Sequence, residues 1–92
     1  MKRELVVLSG RVQGVGFRET VVAIARRFDV AGSVRNERDG RRLTIDVEGE
    51  PQDVDAFVRA VLAERPPYAR IDDVERRPAA PRGGSGFHRD PT

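Results

Sequence analysis

The chain of 92 residues has no cysteine, no tryptophan, one histidine and a single lysine, and each scarcity removes a class of function. Without cysteine there can be no disulfide staple, thiolate zinc site or cysteine nucleophile, and one histidine cannot build a histidine-rich metal centre. Long apolar runs are missing as well. Leu5 to Leu8 and Val21 to Ile24 are the longest, far below the roughly 20 residues of a membrane span. Met1-Lys2-Arg3-Glu4 opens with no apolar signal core behind it, so the expectation is a cytoplasmic protein with no membrane partner. Charge of one sign is also scarce: 17 basic against 15 acidic residues leave a net +2, which argues against a DNA-wrapping protein. Chemistry here has to run on arginine, asparagine, carboxylates, hydroxyls and backbone amides.

What is present fits one small domain over residues 1–92, ending in a Pro/Gly/Arg-rich segment at 78–92. Glu4 to Ser9 is short, aliphatic and closed by Gly10, which predicts a strand. Phe17, Val21, Ile24, Ala25 and Phe28 follow the spacing of one helical face, and Asp29 is expected to end that helix in a left-handed cap. Two alternating runs, Ser33 to Glu37 and Leu43 to Glu48, flank Asp39-Gly40 and predict a hairpin with positive φ at Gly40. On the second strand Leu43, Ile45 and Val47 are expected to pack, while Thr44, Asp46 and Glu48 meet water. Pro51 suits a first helical position, and Val54, Phe57, Val58, Val61 and Leu62 make a second stripe that Pro66-Pro67 must stop. A long strand near Ala69 to Arg76 follows, and Gly86-Phe87-His88 offers a short edge strand with one apolar residue. The order β-α-β-β-α-β is the ferredoxin-like α+β pattern, an antiparallel sheet with two helices on one face. That architecture hosts many functions and names none.

Gly10-Arg11-Val12-Gln13-Gly14-Val15-Gly16-Phe17-Arg18 lies between the first strand and the first helix. Its glycines let successive N–H groups turn into one concavity, and the helix start adds unpaired amides and the positive end of its dipole, so the place can bind an anion. It is no Walker loop, having no Gly-Lys-Ser/Thr, and no dinucleotide fingerprint, since Glu19 stands where the third glycine would be. A tight strand-to-helix turn is the plainer reading of the same glycines. Arg18 sits where a cation is disfavoured by the dipole unless an anion is shared. It reads equally as a fork over a bound phosphate or as a solvated surface arginine. Asn36, beside the hairpin, is either a turn-shaping side chain or a neutral group able to hold a water.

These residues resemble the signature of the acylphosphatase family. Gly32-Ser33-Val34-Arg35-Asn36 followed by Asp39-Gly40 is similar to that family's second signature, and the similarity runs from residue 4 to about 76. The resemblance implies hydrolysis of the carboxyl–phosphate bond of acyl phosphates, with no metal and no cofactor. By it, Arg18 binds the phosphate, Asn36 positions the attacking water, and the amides of Gln13, Gly14, Val15, Gly16, Phe17 and Arg18 cradle the phosphoryl group. Inorganic phosphate would be product and inhibitor, and a monomer is expected. Two other functions share this architecture or this loop. An RNA-binding domain of this shape needs aromatics on its central strands, and Leu5 to Leu8 and Leu43 to Val47 have none, so no nucleic-acid partner is expected. A non-catalytic binder of acyl or carbamoyl phosphate would share the loop and lack only turnover. His88, in the terminal segment, reads as a surface residue.

Overall fold

The computed structural model describes residues 1–91. The elements are β1 (Lys2–Arg11), α1 (Phe17–Ala25), β2 (Val30–Asn36), β3 (Arg42–Gly49), α2 (Pro51–Ala63), β4 (Arg70–Ala79) and β5 (Phe87–Arg89). They form one sheet in the order β4-β1-β3-β2-β5. The first four strands pair antiparallel, with Leu8 opposite Leu43 on one side and Val74 on the other. This is the expected ferredoxin-like arrangement, with one correction to a purely antiparallel sheet. β5 joins β2 in parallel, Gly32 opposite Phe87 and Val34 opposite Arg89. The cause is topological: the chain leaves β4 at one edge of the sheet and must cross to the other edge to enter β5.

Both helices lie on one face, where Val6, Leu8, Val34, Leu43, Ile45 and Val47 meet Phe17, Val21, Ile24, Val54, Phe57 and Val61. Pro51 takes the first turn of α2, where its missing N–H costs nothing. Gly40 has φ 74° in the hairpin turn, as the Asp-Gly pair predicts. Helix α1 stops earlier than its stripe suggests. After Ala25 the chain tightens, with Arg27 N donating to Ile24 O and Phe28 N to Ala25 O. These i+3 bonds take up terminal carbonyls without a left-handed residue. Asp29 accordingly has no positive φ, and the expected left-handed cap at that position is overturned. Phe28 still reaches the core, edge-on to Phe57 at 6.2 Å.

The opposite face departs most from expectation. Thr44, Asp46 and Glu48 are only 6–7% exposed, so the polar side of β3 does not meet water. Residues 80–86 run across it. The backbone N–H groups of Arg82 and Gly83 donate to the two oxygens of Glu48 at 2.9 and 2.8 Å. Asp46 receives Arg3 on both oxygens and Arg82 at 2.8 Å. Phe87 then docks beside Phe57, with ring centroids 5.5 Å apart, so the terminal segment is a fixed part of the fold.

Candidate active site

A bulge between Ser9 and Gly10 shifts the register of β1 against β4, pairing resumes at Gly10–Ile71 and Arg11–Arg70, and the loop follows. Gly14 and Gly16 hold φ 72° and 77°, with open space where a Cβ would stand, so it is the backbone turn that needs glycine there. Gly16 is the residue before α1 and makes no side-chain cap, which leaves the first amides of the helix unclaimed by a capping side chain. Val12 and Phe17 are buried beneath the loop and tie its two ends to the core. Gln13 reaches across with Nε2, donating to Glu37 O at 2.7 Å and Arg42 O at 3.0 Å. That brace fixes the loop against the end of the hairpin, next to Asn36.

The result is a cavity of about 190 Å³ lined by Gly14, Gly16, Arg18, Glu19, Asn36 and Arg89, with Val12 and Phe17 as its apolar base. It is roomy enough for a tetrahedral oxyanion with a water beside it. The sequence-predicted residues Gly14, Gly16, Phe17, Arg18 and Asn36 therefore share one space. Gln13 borders an adjoining groove that it shares with Arg18 and Asn36. Val15 packs against the core. Arg18 donates from Nη1 to the carbonyl of Asp90 at 2.9 Å, which links the first helical turn to the end of β5. Asn36 Oδ1 is buried and accepts no hydrogen bond from any described group. A buried amide oxygen left so by its own chain calls for a small donor.

Three groups at this site escape sequence reasoning. Glu19 and Arg89 form an ion pair at the rim, 3.0 Å apart, and the Asp90 carbonyl accepts from Arg18. Arg89 and Asp90 sit on or just after a strand that only Phe87 announces, so no local pattern points to them. Around the hairpin, the Thr44 hydroxyl donates to Glu37 and holds that carboxyl below its usual range, with Arg35 adding to the effect. The N–H of Arg41 does the same for Asp39, together with the Arg42 side chain. Both carboxylates thus serve the hairpin that carries Asn36. Among the described residues no group of three or more His, Cys, Asp or Glu could hold a metal ion. No described helix is long and apolar enough to cross a membrane.

Comparison with known proteins gives the family. The acylphosphatase family model matches residues 5–89. An acylphosphatase of Anaeromyxobacter dehalogenans is 48% identical over 84 residues, 91% of this chain and 88% of that protein. The acylphosphatase of Bacillus subtilis superposes with a TM-score of 0.91 at 33% identity, covering 98% of this chain and 99% of that one. A full-length HypF structure in its phosphate- and nucleotide-bound form matches with a TM-score of 0.90 and 33% identity, but only 12% of that chain is covered. With both signatures placed around one cavity and this similarity along nearly its whole length, the chain belongs to the acylphosphatase family, whose members hydrolyse acyl phosphates.

Proposed function

We propose that the amides from Gln13 to Arg18 and the Arg18 guanidinium bind the phosphoryl group, and that Asn36 positions the water that attacks phosphorus. The observation that carries this reading is the buried, unengaged Oδ1 of Asn36 in the same cavity as Arg18 and the two left-handed glycines. The amide oxygen accepts one O–H of the water and turns an oxygen lone pair toward phosphorus. Charge on the equatorial oxygens of the loose transition state is taken up by the loop amides and Arg18, whose positions are set before substrate arrives. The carboxylate is a good leaving group and needs no acid. As the P–O bond to the acyl group breaks, the electron pair leaves with the carboxylate and the water's proton passes to a non-bridging phosphate oxygen.

This chemistry asks for no metal, and inorganic phosphate competes with substrate because the loop recognises the phosphoryl group. With Gln13 to Arg18 and Asn36 the proposed site is complete within one chain, so a monomer in the cytoplasm is the proposed working form. The test is release of phosphate from acetyl and benzoyl phosphate, with and without chelator. Turnover indifferent to chelator and competitively inhibited by phosphate is expected. Activity that vanishes in chelator and returns with magnesium would overturn metal independence.

A further inference from the structure

Beside the phosphate cavity, and sharing Glu19 and Arg89 with it, lies a groove of about 240 Å³ between α1 and β5. Val22 and Ala23 give it an aliphatic wall, and Arg26 and Arg89 stand along it. Arg89 gives Nη1 to Glu19, its one side-chain partner among the described residues, and Arg26 has none there. A guanidinium carries five donors, so Arg89 can serve Glu19 and a second carboxylate together. Counting Glu19, the groove carries one net positive charge beside an apolar wall.

The other groove at the cavity is lined by Gln13, Glu37, Arg38 and Pro91 and shares Asn36 and Arg18 with it. Its two further charges cancel, and it lies on the side from which Asn36 delivers water. In-line displacement sets the leaving group opposite the nucleophile, so the acyl group departs away from Asn36. Of the two grooves that open from the cavity, the one along α1, lined by Arg89, is the one that Asn36 does not line. We propose that this enzyme prefers acyl phosphates whose acyl group has an apolar body and a carboxylate of its own, with Arg89 as the specificity-determining residue and Arg26 adding to the field. The inference rests on the assignment of Arg18 and Asn36 above.

The test compares 4-carboxybenzoyl phosphate with benzoyl phosphate, a pair that differ by one rigidly held carboxylate. The wild-type protein should show the higher kcat/KM on the carboxylated compound, and Arg89→Gln should lower the ratio of the two kcat/KM values about tenfold, the size of one charge-assisted contact. The change should appear in KM of the carboxylated substrate, because the contact is made equally in ground and transition states. Arg89→Glu should bring the ratio below one, and Arg89→Lys should restore most of it. Equal losses on both substrates in Arg89→Gln and Arg89→Glu would make Arg89 a structural residue of β5 and overturn the proposal. So would a wild-type preference for benzoyl phosphate, while leaving the Arg18 and Asn36 assignment standing. Failure of the wild type to hydrolyse either compound would remove both.

Discussion

Two segments meet at the candidate site, and they are anchored differently. The loop before α1 is shaped by left-handed glycines and anchored by buried Val12 and Phe17, so the backbone amides proposed to hold the phosphoryl group sit where the core dictates. The terminal segment contributes the Asp90 carbonyl and Arg89; Phe87 and the pairing of β5 seat its end, but its crossover is held by carboxylates, Glu48 gripping two consecutive N–H groups and Asp46 gripping Arg82. Protonation or screening of those carboxylates loosens the second kind of anchoring and leaves Val12 and Phe17 in place. The amides proposed to bind phosphate thus lie on the segment anchored in the core, and Arg89, proposed to tune selectivity, lies on the one held in part by charge, which also offers the Asp90 carbonyl to Arg18.

The largest expected effect tests the loop. Arg18→Gln should abolish measurable turnover and remove the upward shift in thermal midpoint that phosphate confers, while the fold persists, because the side chain points to the cavity and not to the core stripe. Retained protection by phosphate would show that the amides alone carry binding. Next, Asn36→Ala should lower kcat by about a hundredfold, the order assigned to losing a positioned group, with phosphate affinity nearly unmoved. Equal loss of affinity and turnover would put Asn36 on the phosphate itself.

Smaller effects should come from the terminal segment. Phe87 is half-buried against Phe57, so Phe87→Ala should destabilise by about 2 kcal/mol, below the range for a fully buried ring. Denaturant unfolding measures it, and acetyl phosphate turnover in the folded fraction should stay within a few-fold. A collapse of turnover in folded protein would mean that the segment is part of the chemistry after all. The smallest effect is a pH dependence. Hydrogen bonds from the Arg82 and Gly83 amides hold the Glu48 carboxyl below its usual range, and Arg3 does the same for Asp46. Their contribution is fully present above the ordinary carboxylate range near pH 4 and is lost as pH falls through their lowered values. Glu48→Gln should lower the thermal midpoint slightly at pH 7, and the gap from wild type should close toward pH 3. A gap that stays constant with pH would mean that the crossover does not depend on the Glu48 charge.

The same contrast decides what could be read from the sequence. Periodic stripes gave both helices away, and Asp39-Gly40 gave the hairpin, because in each case the signal and its cause lie within a few residues. The loop was legible for the same reason: its glycines are adjacent to the backbone they shape. The crossover at 80–86 has no such signal, since the partners of its amides sit on β3, far back along the chain. Alternation along Thr44, Asp46 and Glu48 correctly separated two faces of the strand but could not show that the polar one would be covered. Arg89 and Glu19 were missed together, because each takes its meaning from an ion pair that only the parallel docking of β5 creates. Asp29 misled for a different reason: a helix stripe that continues through Phe28 does not fix where the hydrogen bonds change pattern.

The interior place of β1, second from the edge, has a kinetic side. Its neighbours are β3 and β4, and Arg3 faces Ala79, so almost the full length of chain must be gathered before the first strand is flanked on both sides. Closing so large a loop costs conformational entropy before any pairing repays it, and topologies dominated by such distant contacts fold in milliseconds to seconds and not in microseconds. Until β4 arrives, Val6 and Leu8 lie on a strand with an open edge, the kind of surface through which partly folded chains aggregate. Refolding yield should therefore fall with protein concentration more steeply than the modest size of the domain would suggest.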